Sequence, residues 1–348
     1  MNNSPLVLDD QKIPSVSESI SAVPPVGYIP ITLQTQGVLS MPAKFHMRDY
    51  TMEDVLQLNI MDEEQFLPNI VNIFNKLIWE KNIDCADMHS NEFTETLYTL
   101  YGSFIGSTVE KDYYINEDLP EGEEEGQLDH PSNIATVDLP IGNIPVQNIH
   151  FDKDGVERIK KFKEPFGIAD TLTGDSFKFR LSRLKDIIFA QNYCDKEFAI
   201  EKQKFAQFKF QLDQIRNKYS KDKVKLTEEI TNFVKKDLAT YSAYIEFTKR
   251  FDAEILRLVQ IQCIVSCNGV PINSIEEKLD LYKNRIHSAV WATYNDAVAM
   301  FPFGLQDEVT FYSDALKKDI TRRFQFQLTD FLPDSSKSDS RRATVSFD

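Results

Sequence analysis

The sequence predicts an α+β fold, predominantly α-helical, made of two strand-to-helix modules, the second extended by a long antiparallel helical hairpin. Three observations carry this. Phe45 and Met47 alternate with His46 and Arg48, and a helical pattern follows Thr51. The same switch of apolar period, from two to 3.6, recurs where Phe177, Phe179 and Leu181 give way to a helix beginning at Leu184. Further on, Phe198, Phe205, Phe208, Leu212, Ile215 and Tyr219 follow heptad spacing, and Leu226, Ile230, Phe233, Leu238, Tyr241 and Ile245 resume the pattern after the polar break at 220–223.

Taken in order, residues 1–27 mix Ser, Pro, Asp and isolated aliphatics without a period, as expected of a flexible arm. Residues 28–115 read as a small α+β domain. Ile29, Ile31 and Leu33 lead through a turn near Gly37 to Phe45 and Met47, which suggests a hairpin. Thr51 and Asp54 fit a capping box, with Val55, Leu56 and Leu58 as the buried face of the helix that follows. A second helix is expected from Glu64 to Glu80, and a third from Ser90, loosened at its end by Gly102 and Gly106. Residues 116–136, acidic and broken by Pro and Gly, read as a linker.

Residues 137–332 are expected to form a mainly helical domain with short strands at its start. Pro140 and Pro145 confine any strand there to an edge, and Gly174 is placed for a hairpin turn. The returning arm of the hairpin is expected to run through Phe251 and Leu258 past Cys263 to a stop near Asn268 and Gly269. Ser274 and Glu277 then cap a helix reaching to about Met300, and a last helix is expected from Asp307 to Leu328. Residues 333–348 read as a disordered tail, within which RRAT at 341–344 fits a basic-directed kinase weakly.

A net charge of −15 argues against nucleic-acid binding, whose affinity comes from neutralising phosphates, and it disfavours an anionic membrane surface. No apolar run approaches the roughly 20 residues of a membrane span. The first residues, MNNSPLVLDDQK, lack the basic leader and apolar core of a signal peptide. Four scattered cysteines suit a reducing compartment better than a disulfide framework. The protein is therefore expected in the cytoplasm where it is made, or in a particle assembled there.

The candidate chemistry is sparse. Cys263 and Cys267, four apart at an expected helix end, are weak candidates for half a zinc site; without a second pair to close it, two buried thiols are the favoured reading. GxSxG, GxGxxG, HExxH and the glycine-rich phosphate loop do not occur, so neither catalytic residues nor a cofactor are expected. Asp49, Glu53 and Asp54 read as helix-start stabilisation. Arg180 and Arg183, with Lys178 and Lys185, make a basic strip beside Phe177 and Phe179, as on a solvated strand face or a patch for an acidic protein partner. Phe205, Phe208, Phe210 and Phe233 suggest a groove for a partner helix. Phe210 lies off the heptad seam: exposed, it is a contact residue; buried, it is second-layer core, which is the favoured reading.

FHMRDYTMEDVLQL, then IVNIFNKLIW followed by IDCADMHSNEFTETLYTLYGSFIG, and finally FKFRLSRLKDIIFAQ occur in an order that resembles the baseplate hub subunit and related tail assembly proteins of T-even-type contractile-tailed bacteriophages. The likeness covers about residues 28–110 and 175–300. It implies a non-enzymatic protein of the virion or of virion assembly in the host cytoplasm, either a hub component or a tail assembly chaperone. Its partners would be other tail or baseplate proteins, such as the tape-measure protein. Phe45, Arg48, Phe179, Arg180, Arg183 and Phe210 are the expected partner-binding residues. The alternative is a cytoplasmic helical adaptor that binds partners through the 198–262 hairpin; a third possibility is an enzyme whose site no motif reveals.

Overall fold

A computed structural model describes residues 23–35, 37, 39, 41–59, 66–115, 134–144, 146–147, 164–219, 223–299, 304–306, 308–324, 326 and 328–333. The fold is α+β and mostly helical, with small antiparallel sheets. The N-terminal arm to residue 22, most of the linker, the start of the second helix at Glu64 and the tail with its RRAT motif lie outside the described residues.

Strands β1 (Tyr28–Thr32) and β2 (Lys44–Arg48) pair antiparallel, Ile31 opposite Phe45 and Ile29 opposite Met47. Phe45 and Met47 face inward as the alternation requires. Helix α1 (Met52–Asn59) opens on the expected capping box: the Thr51 amide and hydroxyl donate to Asp54 Oδ2 at 2.8 and 2.7 Å, and Thr51 Oγ1 accepts from the Asp54 amide at 3.2 Å. Leu56 does not join the buried face of this short helix; Leu58 and the Asp54 carboxylate do.

Helix α2 (Phe66–Leu77) buries Ile70, Ile73, Phe74 and Leu77. It stops before Glu80 because Ile78 bridges to Met47 and the Trp79 amide donates to the His46 carbonyl at 2.9 Å. Helix α3 (Ser90–Leu100) is capped by His89, whose Nδ1 accepts from the Asn91 amide while Glu92 accepts from the His89 amide. A single π-helical turn, Tyr101–Ile105, runs from α3 to strand β3 (Thr108–Tyr114).

Two expectations about the chain's middle and end are corrected here. Residues 134–136, assigned to the linker, begin β4 (Ile134–Pro140), which pairs with β3 along its whole length. Residues 308–323, expected within the last helix, are not helical. They form β11 (Glu308–Ser313) and β12 (Lys318–Arg323), joined by a turn in which Lys317 has φ +52°. The physical signal is alternation: Val309, Phe311 and Ser313 turn inward between exposed Glu308, Thr310 and Tyr312.

This hairpin completes the first core, where Phe311, Phe324 and Phe331 pack with Phe45, Phe74, Phe93 and Leu97. Tyr113 and Ser313 hydroxyls lie 2.6 Å apart, and Lys111 pairs with Asp330. The sequence boundary at 116–136 is therefore not a packing boundary. Two further pieces of strand, β5 (Val146–Gln147) and β10 (Gly304–Leu305), pair beside α3.

The second core is a four-stranded sheet in the order β6 (Phe166–Ala169), β7 (Ser176–Phe179), β8 (Ile264–Cys267) and β9 (Val270–Pro271). Gly174, at φ +77°, forms the β6–β7 turn as expected. Between β7 and β8 the chain runs out and back through α4 (Leu184–Glu197), α5 (Ala199–Lys218), α6 (Lys223–Lys236) and α7 (Leu238–Gln262).

Each arm of the helical hairpin is thus two helices rather than one. The breaks fall at Phe198 and at Asp237, whose carboxylate accepts from the Thr240 amide and starts α7. The arms are antiparallel: Cys194 packs beside Leu258, Phe198 meets Phe251 and Phe247, Phe205 meets Phe247 and Tyr244, and Phe208 meets Tyr244 and Tyr241.

Helix α7 does not continue to Asn268. It ends at Gln262, where the β-branched Ile264 and Val265 enter the sheet and Asn268 and Gly269, both at positive φ, make the β8–β9 turn. The helix expected from Ser274 to Met300 is two, α8 (Ile275–Asn284) and α9 (Ser288–Ala299). The break lets Arg285 reach Asp175 at 2.9 Å and His287 reach Asp170 at 2.6 Å, tying it to the β6–β7 turn.

Candidate functional site

Most of the residues expected at a partner surface are occupied inside the molecule. Phe45 and Phe179 are 0% exposed, each at the centre of its core. Arg48 donates to Asp54 Oδ2 at 2.9 Å. Arg180 holds Asp186 with both arms, at 2.6 and 2.7 Å, and the Arg183 amide donates to the same carboxylate at 2.8 Å. The two modules therefore share one device: an Arg ending a strand grips the carboxylate that caps the following helix, six residues on. A buried carboxylate held by such bonds is satisfied as a helix cap and as an ion partner at once.

Arg183 is buried as well. It pairs with Glu164, whose other oxygen accepts from the Leu181 amide at 2.6 Å, while Arg183 Nη1 has no hydrogen-bond partner among the described residues. Around it lies a polar knot joining the two modules. The Leu184 amide donates to Met88 O at 2.9 Å, and burial, aided by the Arg183 charge, holds His89 down to about 4. Glu92 is raised by burial, although the Thr35 hydroxyl donates to it at 2.6 Å. Glu95 is pushed up to about 7 by burial and the Glu92 charge, against donation from the Gln34 amide at 3.2 Å. The knot fixes the β1–β2 connection and the start of α4 to α3.

Cys263 and Cys267 do not stand on one helical face, because the helix ends before them. Cys263 is buried beneath Tyr294, and burial pushes its thiol up to about 11. Cys267 lies at the far end of β8. Among the described residues no group of three or more His, Cys, Asp or Glu is placed to hold a metal. Lys278, another buried ionisable group, donates to Gln262 O at 3.0 Å and is lowered chiefly by burial.

Phe210 is the exception: it is 61% exposed, so the second-layer core reading is corrected. Its position follows from the helical period. Phe205, Phe208 and Leu212 follow the face of α5 that turns to the returning arm, whereas Phe210 stands about 200° from Phe208 round the helix. Phe208 packs on Phe233, with centroids 5.1 Å apart.

Alongside this seam, α4, α5 and α7 border a groove of about 700 Å³. Phe205, Tyr244, Phe247 and Phe251 line it and Phe210 stands at its edge. Lys202 reaches across, 5.5 Å from the Phe251 ring centroid and 2.7 Å from Asp195. Lys209 and Asp213 add charge further along.

Of the four aromatics that suggested a groove, Phe205 and Phe210 line this one, while Phe208 and Phe233 form the seam behind it. Sequence reasoning missed the contributions of Asp195, Lys202, Lys209, Asp213 and α7. The first four recur on α4 and α5 at helical intervals, but their role depends on which face α7 leaves uncovered. Chemically the groove offers ring faces and long aliphatic stems with a few charges, suited to holding apolar side chains and fixing their orientation.

No described helix is long and apolar enough to cross a membrane. The chain matches no family model, no curated protein and no solved structure.

Proposed function

We propose that this protein is a non-enzymatic component of contractile phage tail assembly, a baseplate hub subunit or an assembly chaperone, that works by docking apolar segments of other tail or baseplate proteins on its helical hairpin. The observation that carries the mode of action is the aromatic groove along α5 with Phe210 exposed at its edge. The phage setting, in the virion or in the host cytoplasm during assembly, is supported by the sequence pattern that spans both modules. The ordered cores around Phe45 and Phe179 serve as the frame from which the hairpin extends.

The groove supports a second reading as well, a cytoplasmic helical adaptor, because it lies wholly within the hairpin region and its approach. A pulldown of the purified chain with individual tail components, together with electron microscopy of mature particles, separates them. Capture of a tape-measure or baseplate protein that is weakened in Phe210→Glu supports the phage reading. Presence of the chain in finished particles then marks a hub subunit, and capture without presence marks a chaperone. No capture of any tail component by a folded chain overturns the phage reading in favour of the adaptor.

A further inference from the structure

The far end of the helical hairpin, where α5 gives way to α6, differs in charge from the protein that carries it. Residues 214–219 and 223–227 hold Arg216, Lys218, Lys223 and Lys225 and neither Asp nor Glu, whereas the whole chain has a net charge of −15. Physiological salt screens charges over roughly 8 Å, so a partner arriving at this end meets the local cations before the net charge of the chain.

Helix stability accounts for only half of these cations. Arg216 and Lys218 lie in the last turn of α5, where positive charge complements the helix dipole. Lys223 and Lys225 lie at the start of α6, where the dipole opposes them, and neither Asp nor Glu stands in that first turn. Helices α1, α3, α4, α5 and α8 all place Asp or Glu there. The start of α6 departs from the habit of the chain, and the departure makes the tip more positive.

The cations are also gathered. The Lys218 and Lys225 ammonium groups, from the two arms, stand 5.0 and 5.3 Å from the centroid of one ring, that of Tyr219, and both residues are exposed. A shared aromatic anchor holds two like charges close together and reduces the side-chain freedom lost when an anion binds between them. Arg216 stands beside them on α5, 55% exposed and 3.2 Å from Asp213.

We infer that this tip is a second contact surface, apart from the aromatic groove, and that its occupant is a short Asp- and Glu-rich segment of a partner protein. Charge complementarity selects an anion, and the extent of the patch selects a peptide. Away from the tip the arms present Asp213, Glu228 and Glu229. A nucleic-acid duplex or a membrane surface, which binds by offering many phosphates at once, meets those carboxylates as well. A few acidic side chains on one segment fit within the cations alone.

Fluorescence anisotropy of the full chain with a labelled deca-glutamate peptide at physiological salt tests this. The wild type is expected to bind the peptide, and Lys218→Glu/Lys225→Glu to weaken binding about tenfold. Lys235→Glu/Lys236→Glu makes the same change of net charge at the other end of α6 and is expected to leave binding within about twofold. Phe210→Glu, in the groove, is likewise expected to leave it unchanged. Circular dichroism checks that each variant keeps its helix; where the tip reversal does not, Lys218→Gln/Lys225→Gln replaces it.

A folded wild type that does not bind the peptide, or an equal loss in the tip and control pairs, overturns the inference. So does a loss confined to Phe210→Glu, which would give the acidic segment to the groove. A DNA duplex or a phosphatidylserine vesicle bound more tightly than the peptide, and released by the tip reversal, overturns it in favour of that surface. A zero-length crosslink in the free chain between the tip lysines and the acidic residues of 116–133 overturns it by giving the tip to the chain's own segment.

Discussion

Replacing Asp186 by Ala removes the carboxylate on which the second module closes. The side chain is 4% exposed and accepts two bonds from Arg180 and one from the Arg183 amide. Its loss leaves the Arg180 guanidinium, itself 22% exposed, without its counter-charge and with Lys278 nearby to repel it. Breaking one side of such a buried pair costs about 3 to 5 kcal/mol.

The matching change in the first module, Asp54→Ala, removes one arm of Arg48 and the Thr51 cap. Arg48 is 26% exposed and retains the Asp49 carbonyl as an acceptor at 2.8 Å. Loss of a charged hydrogen bond of this kind costs about 1.5 to 3 kcal/mol. The order of the two is thus fixed by the number of bonds and the solvent around each Arg.

Urea unfolding followed by circular dichroism measures both. With a slope of about 3 kcal/mol per molar urea, the Asp186→Ala midpoint falls by about 1 to 1.5 M, and that of Asp54→Ala by about half as much. A paired change, Arg180→Met with Asp186→Leu, recovers part of the loss because no buried charge is left alone. The reasoning fails if Asp186→Ala costs under about 1 kcal/mol, or no more than Asp54→Ala.

Other changes test the remaining assignments. Phe179→Ala empties the centre of the second core and is expected to cost about 3 to 5 kcal/mol in the same urea assay; a near-neutral result would return Phe179 to the surface. Phe210→Ala should alter stability by no more than about 0.5 kcal/mol, yet reduce capture of a partner, so equal losses of both would show that it packs within the chain. Glu95→Gln probes the polar knot through pH. The Glu95 carboxyl holds its proton up to about 7 in the folded chain, against 4.5 as its ordinary value, so the native state binds the extra proton and stability falls as pH rises between the two. Glu95→Gln should flatten that fall, by roughly 3 kcal/mol across the window, and an unchanged pH profile of the melting temperature would refute the assignment.

The sequence by itself determined the fold class and the two places where strand becomes helix, because both depend on local period and on caps closed within four residues. Thr51 with Asp54 and Ser274 with Glu277 form where the spacing placed them. The glycine at 174 likewise declares its turn through the φ it must adopt. The antiparallel aromatic hairpin was legible too, since Phe198, Phe205 and Phe208 repeat over many turns.

Elements that compete between helix and strand were decided only in three dimensions. Residues 308–323 are helix-compatible in composition, but pairing them as strands lets Val309, Phe311 and Ile320 close a core formed more than two hundred residues earlier in the chain. Cys263 to Cys267 left the helix for the same reason, taken up by β7. The candidate site divided along this line as well. A Phe or Arg at a strand-to-helix junction reads the same in sequence whether it faces a partner or its own carboxylate, and only packing showed that Arg48, Arg180 and Arg183 face their own. Phe210 became a surface residue because α7, remote in sequence, covers one side of α5 and leaves the other open.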